Sequence, residues 1–123
     1  MKPSIVYVVD DDEAVRESLS LLLEEHGLTV RGFASCEAFL DAFDGQEESC
    51  LILDLHLPGM DGLSLLRHLA SVPVRLVAIA ITGRMDTATA AAVRAAGAAA
   101  LLEKPFERAE LLETIARAMT KRA

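Results

Sequence analysis

The stretch SCLILDLHLPGMDG, residues 49–62, runs from an apolar segment into a carboxylate and then into a loop with two glycines. Residues 50–53 have the uninterrupted apolar character of a strand that is buried on both faces, yet the run ends at Asp54. Burying an ionised carboxylate without a partner carries a large free-energy penalty. We therefore expect Asp54 to lie at the mouth of the core, beside a cationic side chain.

Comparable apolar runs recur along the chain, and helical patterns separate them. The predicted strands span residues 4–9, 29–33, 50–54, 76–82 and 99–102. The first predicted helix carries an apolar stripe of Val15, Leu19, Leu22 and Leu23, and the second begins after an N-cap at Ser35. The third spans 62–70, and the fourth begins after an N-cap at Asp86. In the last, Phe106 and Leu111 pack around Glu107, and Glu110 is the capping-box acid. Strands that alternate with helices indicate an α/β fold with a parallel sheet. The predicted architecture is a five-stranded, doubly wound, flavodoxin-like (βα)5 sheet of order 2-1-3-4-5, with a crevice beyond strands 1 and 3.

Composition limits the classes of protein to consider. The 123 residues predict one domain, 1–123, and 52% apolar residues with only 4% aromatics imply a core built from aliphatic side chains. A net charge of −7 disfavours direct nucleic-acid binding, which needs basic surface against phosphates. The apolar runs are too short for a secretory signal or a membrane span, so we expect a cytoplasmic protein without membrane contact. Cys36 and Cys50 lie in apolar patterns and predict buried free thiols.

Polar residues follow four of the predicted strands at the edge where the crevice is expected. They are Asp10, Asp11 and Asp12 after strand 1, Asp54 at the end of strand 3, Thr82 and Gly83 after strand 4, and Lys104 and Pro105 after strand 5. Carboxylates that converge repel one another, and a divalent cation with oxygen ligands, Mg²⁺ or Mn²⁺, relieves that repulsion. Mg²⁺ also binds phosphoryl oxygens, which Lys104 and Thr82 would contact as well. The residues thus favour phosphoryl transfer to Asp54 as the nucleophile, giving an aspartyl phosphate.

Four motifs carry a family resemblance. VVDDDEAVRESL, LILDLHLPGMDG, AIAITG and LLEKPF resemble, in order and spacing, the motifs of the response-regulator receiver domain, and the likeness covers essentially the whole chain. EKPF and SCEAFL are most similar to FixJ-type receivers, which precede a LuxR-like helix-turn-helix. The resemblance implies two-component signal transduction: a sensor histidine kinase or a small phosphodonor phosphorylates Asp54 with Mg²⁺, and the output surface switches. Such a receiver is not an enzyme towards other substrates and catalyses only its own phosphorylation and dephosphorylation.

The resemblance also implies roles for individual residues. Asp11 matches the direct metal ligand, Asp10 the acid that acts through water, and the His56 backbone carbonyl a third metal ligand, while the His56 side chain is expected to face solvent. Thr82, with Gly83, and Lys104 match the phosphoryl contacts, and the Lys104-Pro105 bond is expected to be cis. His56 and Arg84 would flank the phosphoryl group and tune its lifetime.

The expected output surface departs from the family pattern at one position. Leu101 stands three residues before Lys104, where receivers usually have Tyr or Phe, so the switch would rest on a smaller side chain without a hydroxyl. Residues 86–119 are the expected face for a homodimer or an effector domain. The sequence leaves open whether the receiver stands alone or belongs to a longer regulator.

Two other functions remain as alternatives. A haloacid-dehalogenase-type phosphatase would use Asp10 as nucleophile and Asp12 as general acid, but it needs an acidic pair after the lysine, where only spaced glutamates follow Lys104. A phosphorylation-independent adaptor would keep the fold and lose the chemistry. Apart from these functions, Asp10–Asp12 could be merely an acidic helix N-terminus.

Overall fold

The computed structural model of the protein describes residues 3, 5–45, 48–57, 59–74 and 76–122, with side chains described as far as residue 120. Strands and helices alternate throughout these ranges. They are β1 Ile5–Val9, α1 Glu13–Glu25, β2 Val30–Phe33, α2 Cys36–Ala42, β3 Ser49–Asp54, α3 Gly62–Ala70, β4 Leu76–Thr82, α4 Thr87–Ala95, β5 Ala100–Glu103 and α5 Arg108–Arg122.

The five strands form one parallel sheet in the order β2-β1-β3-β4-β5, which confirms the predicted fold class and strand order. The register pairs Val9 with Leu53 and Thr82 with Glu103. Because all strands point the same way, the residues that follow β1, β3, β4 and β5 meet at one edge of the sheet.

Strand boundaries differ from the predictions by one residue in three places. β2 begins at Val30 rather than residue 29, β3 begins one residue early at Ser49, and β5 is shifted to Ala100–Glu103. The shift of β5 has a simple cause, since the Lys104 backbone N–H donates to the Thr82 carbonyl at 2.8 Å and extends the pairing with β4. Ser4, where the predicted first strand starts, lies outside the described residues.

The sheet is covered on both faces, as the continuous apolar character of β1, β3 and β4 predicted. Helices α1 and α5 pack on one face, around Leu23 and Leu111. Helices α2, α3 and α4 pack on the other, where Tyr7, Phe33, Phe39 and Phe43 form an aromatic cluster. The ring centroid of Phe39 lies 5.1 Å from that of Tyr7 and 5.0 Å from that of Phe43. Aromatic packing is therefore concentrated on the α2 side of the sheet.

Helix N-caps hold the loops at the carboxyl edge of the sheet. Ser35 and Asp86 are N-caps as predicted, and their side chains accept backbone N–H groups of Ala38 and Thr89 at 3.0 and 2.7 Å. Asp12 caps α1 and Asp61 caps α3 in the same way. The hydrogen bond from the Thr89 backbone lowers the pKa of the Asp86 carboxyl, as the Ser64 backbone does for Asp61. The loops around the predicted crevice therefore end at fixed points.

Two further sequence predictions concern cysteines and membrane spans. Cys36 and Cys50 are buried free thiols, as predicted, and desolvation raises the pKa of the Cys50 thiol to about 12. Within the ranges given above, no helix is both long enough and apolar enough to traverse a lipid bilayer.

Candidate functional site

Three carboxylates meet where β1 and β3 end. Asp10 follows β1 and is 3% exposed, Asp54 ends β3 and is 8% exposed, and Asp11 is exposed beside them. One carboxylate oxygen from each of the three lies within 4.8 Å of the others. Such a set of oxygen donors could hold a divalent cation of the Mg²⁺ type.

Lys104 supplies the cationic partner that Asp54 was expected to need. Its Nζ lies 3.3 Å from Asp10 Oδ2 and 3.5 Å from Asp54 Oδ2. Desolvation lowers the pKa of Lys104, but attraction to the Asp54 and Asp10 carboxylates outweighs it, and the pKa is raised overall. The ammonium is therefore held in its charged form between two nearly buried carboxylates. The bond from Lys104 to Pro105 is cis.

The second oxygen of each buried carboxylate binds its own loop. Asp10 Oδ1 accepts the Asp12 backbone N–H and Asp54 Oδ1 accepts the His56 backbone N–H, both at 2.9 Å. Arg16 Nη1 donates to the Asp10 carbonyl at 2.7 Å. Each carboxylate is thus oriented by its Oδ1, which leaves both Oδ2 atoms directed at Lys104.

Gly62 allows helix α3 to start directly against the end of β3. A Cβ atom on Gly62 would lie 2.8 Å from Leu55 Cα and 3.0 Å from the Asp54 carbonyl oxygen, both backbone atoms that cannot easily move aside. The Gly62 N–H also donates to the Leu55 carbonyl at 3.3 Å. A larger residue here would push the β3–α3 connection away from Asp54.

The Thr82 hydroxyl lies at the end of β4 and is fully buried. Its Oγ1 donates to the Arg84 carbonyl at 3.0 Å and accepts the Arg84 backbone N–H at 3.1 Å. His56 Nε2 lies 3.1 Å from the same oxygen. Because the hydroxyl hydrogen is already donated, this contact is satisfied when the ring Nε2 carries a proton. The expectation that His56 simply faces solvent is therefore incomplete: the residue is exposed, but its ring nitrogen contacts Thr82.

Gly83 and Arg84 follow Thr82 in the chain, and Leu101 lies on the neighbouring strand β5. Gly83 is exposed, and a Cβ atom there would meet no atom within 4 Å. The Arg84 charge helps to lower the pKa of Asp86, after the hydrogen bonds from Thr89, so its side chain is electrostatically coupled to the start of α4. Leu101 is half-buried and lines a cavity of about 160 Å³ with Met85 and Val93.

Besides the contact of His56 with Thr82, three contacts near the site were not foreseen from the sequence. Arg16 binds the Asp10 carbonyl, as described above. Glu37 Oε2 accepts the Met60 backbone N–H at 3.1 Å and so ties α2 to the β3–α3 loop. Glu103 Oε2 accepts the Met85 backbone N–H at 3.0 Å. The only sequence signal for Glu103 was its position beside Lys104 in the EKPF motif.

Known proteins resemble this chain in sequence and in fold. The sequence pattern of the response regulator receiver domain matches residues 6–116. The transcriptional regulatory protein FixJ of Azorhizobium caulinodans is 42% identical over 110 residues, which cover 89% of this chain and 52% of that protein. Response regulator protein TodT of Pseudomonas putida is 38% identical over 118 residues, covering 96% of this chain and 52% of TodT. The chain thus spans about half the length of these curated relatives.

Solved structures show the same likeness. The crystal structure of FixJ-N superposes with a TM-score of 0.88 at 38% identity and covers 98% of this chain and 96% of its own. Full-length FixJ from B. japonicum gives a TM-score of 0.88 at 35% identity and covers 99% of this chain and 60% of its own. The resemblance to FixJ-type receivers is confirmed. With the pattern match and the shared fold, these relatives show that the chain belongs to the response regulator receiver domain family.

Proposed function

We propose that residues 1–123 form a phospho-acceptor domain in which Asp54 receives a phosphoryl group from a sensor histidine kinase or a small phosphodonor. The observation that carries this proposal is the position of Lys104, whose Nζ lies 3.5 Å from Asp54 Oδ2 and 3.3 Å from Asp10 Oδ2. A cation between two nearly buried carboxylates is suited to receive further negative charge on Asp54.

In the proposed reaction, Asp54 Oδ2 attacks the phosphorus of the donor. The new bond joins this oxygen to phosphorus, and the bond from phosphorus to the donor nitrogen or oxygen breaks, with the electron pair leaving on the donor. Lys104 balances charge on one phosphoryl oxygen, and the Thr82 hydroxyl, with the backbone of Gly83, donates to another. The hydrogen bond from the His56 backbone to Asp54 Oδ1 fixes the orientation of the attacking carboxylate.

The metal site in this proposal comprises Asp10, Asp11, Asp54 and the backbone carbonyl of His56. The cluster fits Mg²⁺ or Mn²⁺, because its carboxylate oxygens lie within 4.8 Å of one another and Asp11 is exposed to incoming ligands. When bound, the ion would neutralise charge on the carboxylates and on the transferred phosphoryl oxygens. Asp10 would act on the ion through water, as the family resemblance implies, while its carboxylate oxygens bind the Asp12 backbone N–H and Lys104.

The same contacts argue against the phosphatase alternative. Asp12 would have to act as general acid, but its Oδ1 accepts the Ala14 backbone N–H at 2.9 Å and caps α1. The helix-terminus interpretation therefore describes Asp12, whereas Asp10 and Asp11 join the cluster around Asp54.

We propose that the domain catalyses only its own phosphorylation and dephosphorylation. A phosphorylation-independent adaptor would have no need to bring Asp54, Thr82 and Lys104 together.

The proposed partners follow from the same function. A sensor histidine kinase phosphorylates Asp54, and the 86–119 face binds a second copy or an effector domain. The net charge of −7 opposes direct nucleic-acid binding by this domain, and we propose no contact with the membrane. A cytoplasmic setting is consistent with two cysteines that remain free thiols.

Intact-mass measurement with peptide mapping tests the proposal. With Mg²⁺ and a small phosphodonor, we expect one phosphoryl group on Asp54 and none on Asp54→Asn. Asp10→Asn is the discriminating variant. A modification that persists in Asp54→Asn, or steady turnover of a phosphomonoester that Asp10→Asn abolishes, would favour the phosphatase and contradict the proposal.

A further inference from the structure

The β4–α4 loop, residues 83–86, is held by a side chain from the neighbouring strand. Glu103, the last residue of β5, accepts the Met85 backbone N–H through Oε2 at 3.0 Å. We propose that Glu103 is a positioning residue that holds this loop in its unphosphorylated position and so sets how readily the domain accepts a phosphoryl group. The inference rests on the phospho-acceptor function proposed above.

The hydrogen bonds of Thr82 connect the proposed phosphoryl site to this loop. A hydroxyl has one hydrogen to donate, and Thr82 donates it to the Arg84 carbonyl at 3.0 Å. To donate to a phosphoryl oxygen, Thr82 must release that carbonyl. The loop then loses the hydroxyl's bond to Arg84, and the contact between Glu103 and Met85 opposes further displacement.

Glu103 is placed to couple the loop to the reacting groups. It pairs in register with Thr82, and the backbone N–H of the next residue, Lys104, donates to the Thr82 carbonyl at 2.8 Å. Both residues proposed to contact the phosphoryl group are thus neighbours of Glu103: Lys104 follows it in the chain, and Thr82 lies opposite it on β4. The carboxylate of Glu103 extends from this position to the Met85 backbone in the loop.

A cavity lies beside the loop, and water can replace the hydrogen bond between Glu103 and Met85. The cavity of about 160 Å³ beside α4 is lined by Met85, Val93 and Leu101. Met85 is 40% exposed and Glu103 is exposed, so breaking their hydrogen bond leaves both groups open to solvent. A bond of this kind shifts a two-state equilibrium modestly, by about threefold to tenfold.

The first experiment measures the affinity for beryllofluoride with Mg²⁺ by calorimetry. Glu103→Ala removes the acceptor, Glu103→Gln keeps an acceptor oxygen without the charge, and Glu107→Ala removes a charge from the nearby start of α5. We expect binding about threefold to tenfold tighter in Glu103→Ala, a value for Glu103→Gln nearer the parent, and no change in Glu107→Ala. Parent-like affinity in Glu103→Ala overturns the inference, and so does a Glu103→Gln value equal to Glu103→Ala, which would indicate a charge effect alone.

The second experiment follows amide hydrogen exchange at Met85 by NMR. In the free parent we expect a protected amide, and faster exchange both in free Glu103→Ala and in the parent with beryllofluoride. An amide that stays equally protected when the mimic binds shows that the contact does not open and overturns the inference.

The two proposals fail in different ways. If the parent binds no beryllofluoride, or if Asp54→Asn binds it equally well, the phospho-acceptor function fails and the role of Glu103 falls with it. If the parent binds, Asp54→Asn does not, and Glu103→Ala matches the parent, only the role of Glu103 fails.

Discussion

Helices α2 and α4 cover the same face of the sheet but pack against it differently. On the α2 side, Phe39 is fully buried among aromatic rings, with its centroid 5.1 Å from Tyr7 and 5.0 Å from Phe43. On the α4 side, Val93 is the buried residue within the helix, and the neighbouring β5 contributes the half-buried Leu101. A cavity of about 160 Å³ lies between them.

Because of this difference, the two sides of Asp54 should differ in how easily they are displaced. Dense aromatic packing transmits strain and resists displacement, whereas a cavity beside small side chains leaves room for a second arrangement. The α2 side also holds the β3–α3 loop through the bond from the Met60 backbone to Glu37. We therefore expect the α2 side to keep Asp54 in place while the α4 side responds to phosphorylation.

Phe39→Ala should have the largest effect, because it removes the centre of the aromatic cluster. We expect a loss of about 3–5 kcal/mol in the free energy of unfolding, measured by urea denaturation. Val93→Ala is the corresponding truncation on the α4 side, and its loss is compared per carbon atom removed, because Phe39→Ala removes many more atoms; we expect the smaller loss per atom at Val93. Equal losses per atom would show that both sides are packed to the same tightness, and the comparison would fail.

Asp11→Ala tests the carboxylate cluster of Asp10, Asp11 and Asp54, which lies between the α2 side and the α4 side. In the parent, Mg²⁺ at a hundredfold its Kd should stabilise the fold by about 2.7 kcal/mol through linkage, and Asp11→Ala should lose most of that gain. Thermal unfolding with and without Mg²⁺ measures it. Asp12→Ala is the control, because Asp12 caps α1 and its loss should destabilise the protein equally under both conditions. A parent-like Mg²⁺ response in Asp11→Ala would remove Asp11 from the ligand set.

The sequence predicted the sheet order and the meeting of Asp54 with Lys104 for one physical reason. Apolar runs locate parallel strands, and parallel strands bring the residues that follow them to one edge. By contrast, the bonds from Glu37 to Met60 and from Glu103 to Met85 join side chains to backbone across 23 and 18 residues. They leave no periodic signal in the sequence.

The His56 ring escaped prediction for a related reason. Its contact with the Thr82 hydroxyl depends on a rotamer and on a loop path that the residue order alone does not specify. The order of apolar runs therefore predicted which residues meet at the edge of the sheet, whereas the tertiary structure revealed the contacts that hold the loops.

Leu101→Ala tests how the α4 side carries the signal. Inward packing of Leu101 would be stabilised by apolar contact alone, about 1–2 kcal/mol, which shifts a balanced equilibrium roughly tenfold. We expect an unchanged phosphorylation rate and a smaller beryllofluoride-induced shift in dimer or partner affinity, measured by analytical ultracentrifugation or calorimetry. Leu21→Ala on α1, an exposed residue, serves as control. If Leu101→Ala keeps the full shift, the signal leaves the domain by another route.

Arg84→Ala should give the smallest effect and reports on the lifetime of the phosphoryl group. The bonds between Arg84 and Thr82 use backbone atoms, so they survive the substitution and the phosphorylation rate should not change. The guanidinium is coupled to Asp86, and an exposed charge pair of this kind contributes little. Loss of the guanidinium should speed dephosphorylation by about twofold to fivefold, because alanine shields the phosphoryl group from water less well than arginine does.

Loss of phosphate from the modified protein, followed by intact mass over time, measures this change. Arg84→Lys keeps the positive charge and should stay close to the parent, while Arg94→Ala removes a charge from the far end of α4 and should have no effect. Equal changes in both rates would mean that Arg84 acts on the position of Thr82, and no change would mean that water reaches the phosphoryl group from another side. Either result would leave His56, which contacts the Thr82 hydroxyl from the β3 side, as the residue to vary next.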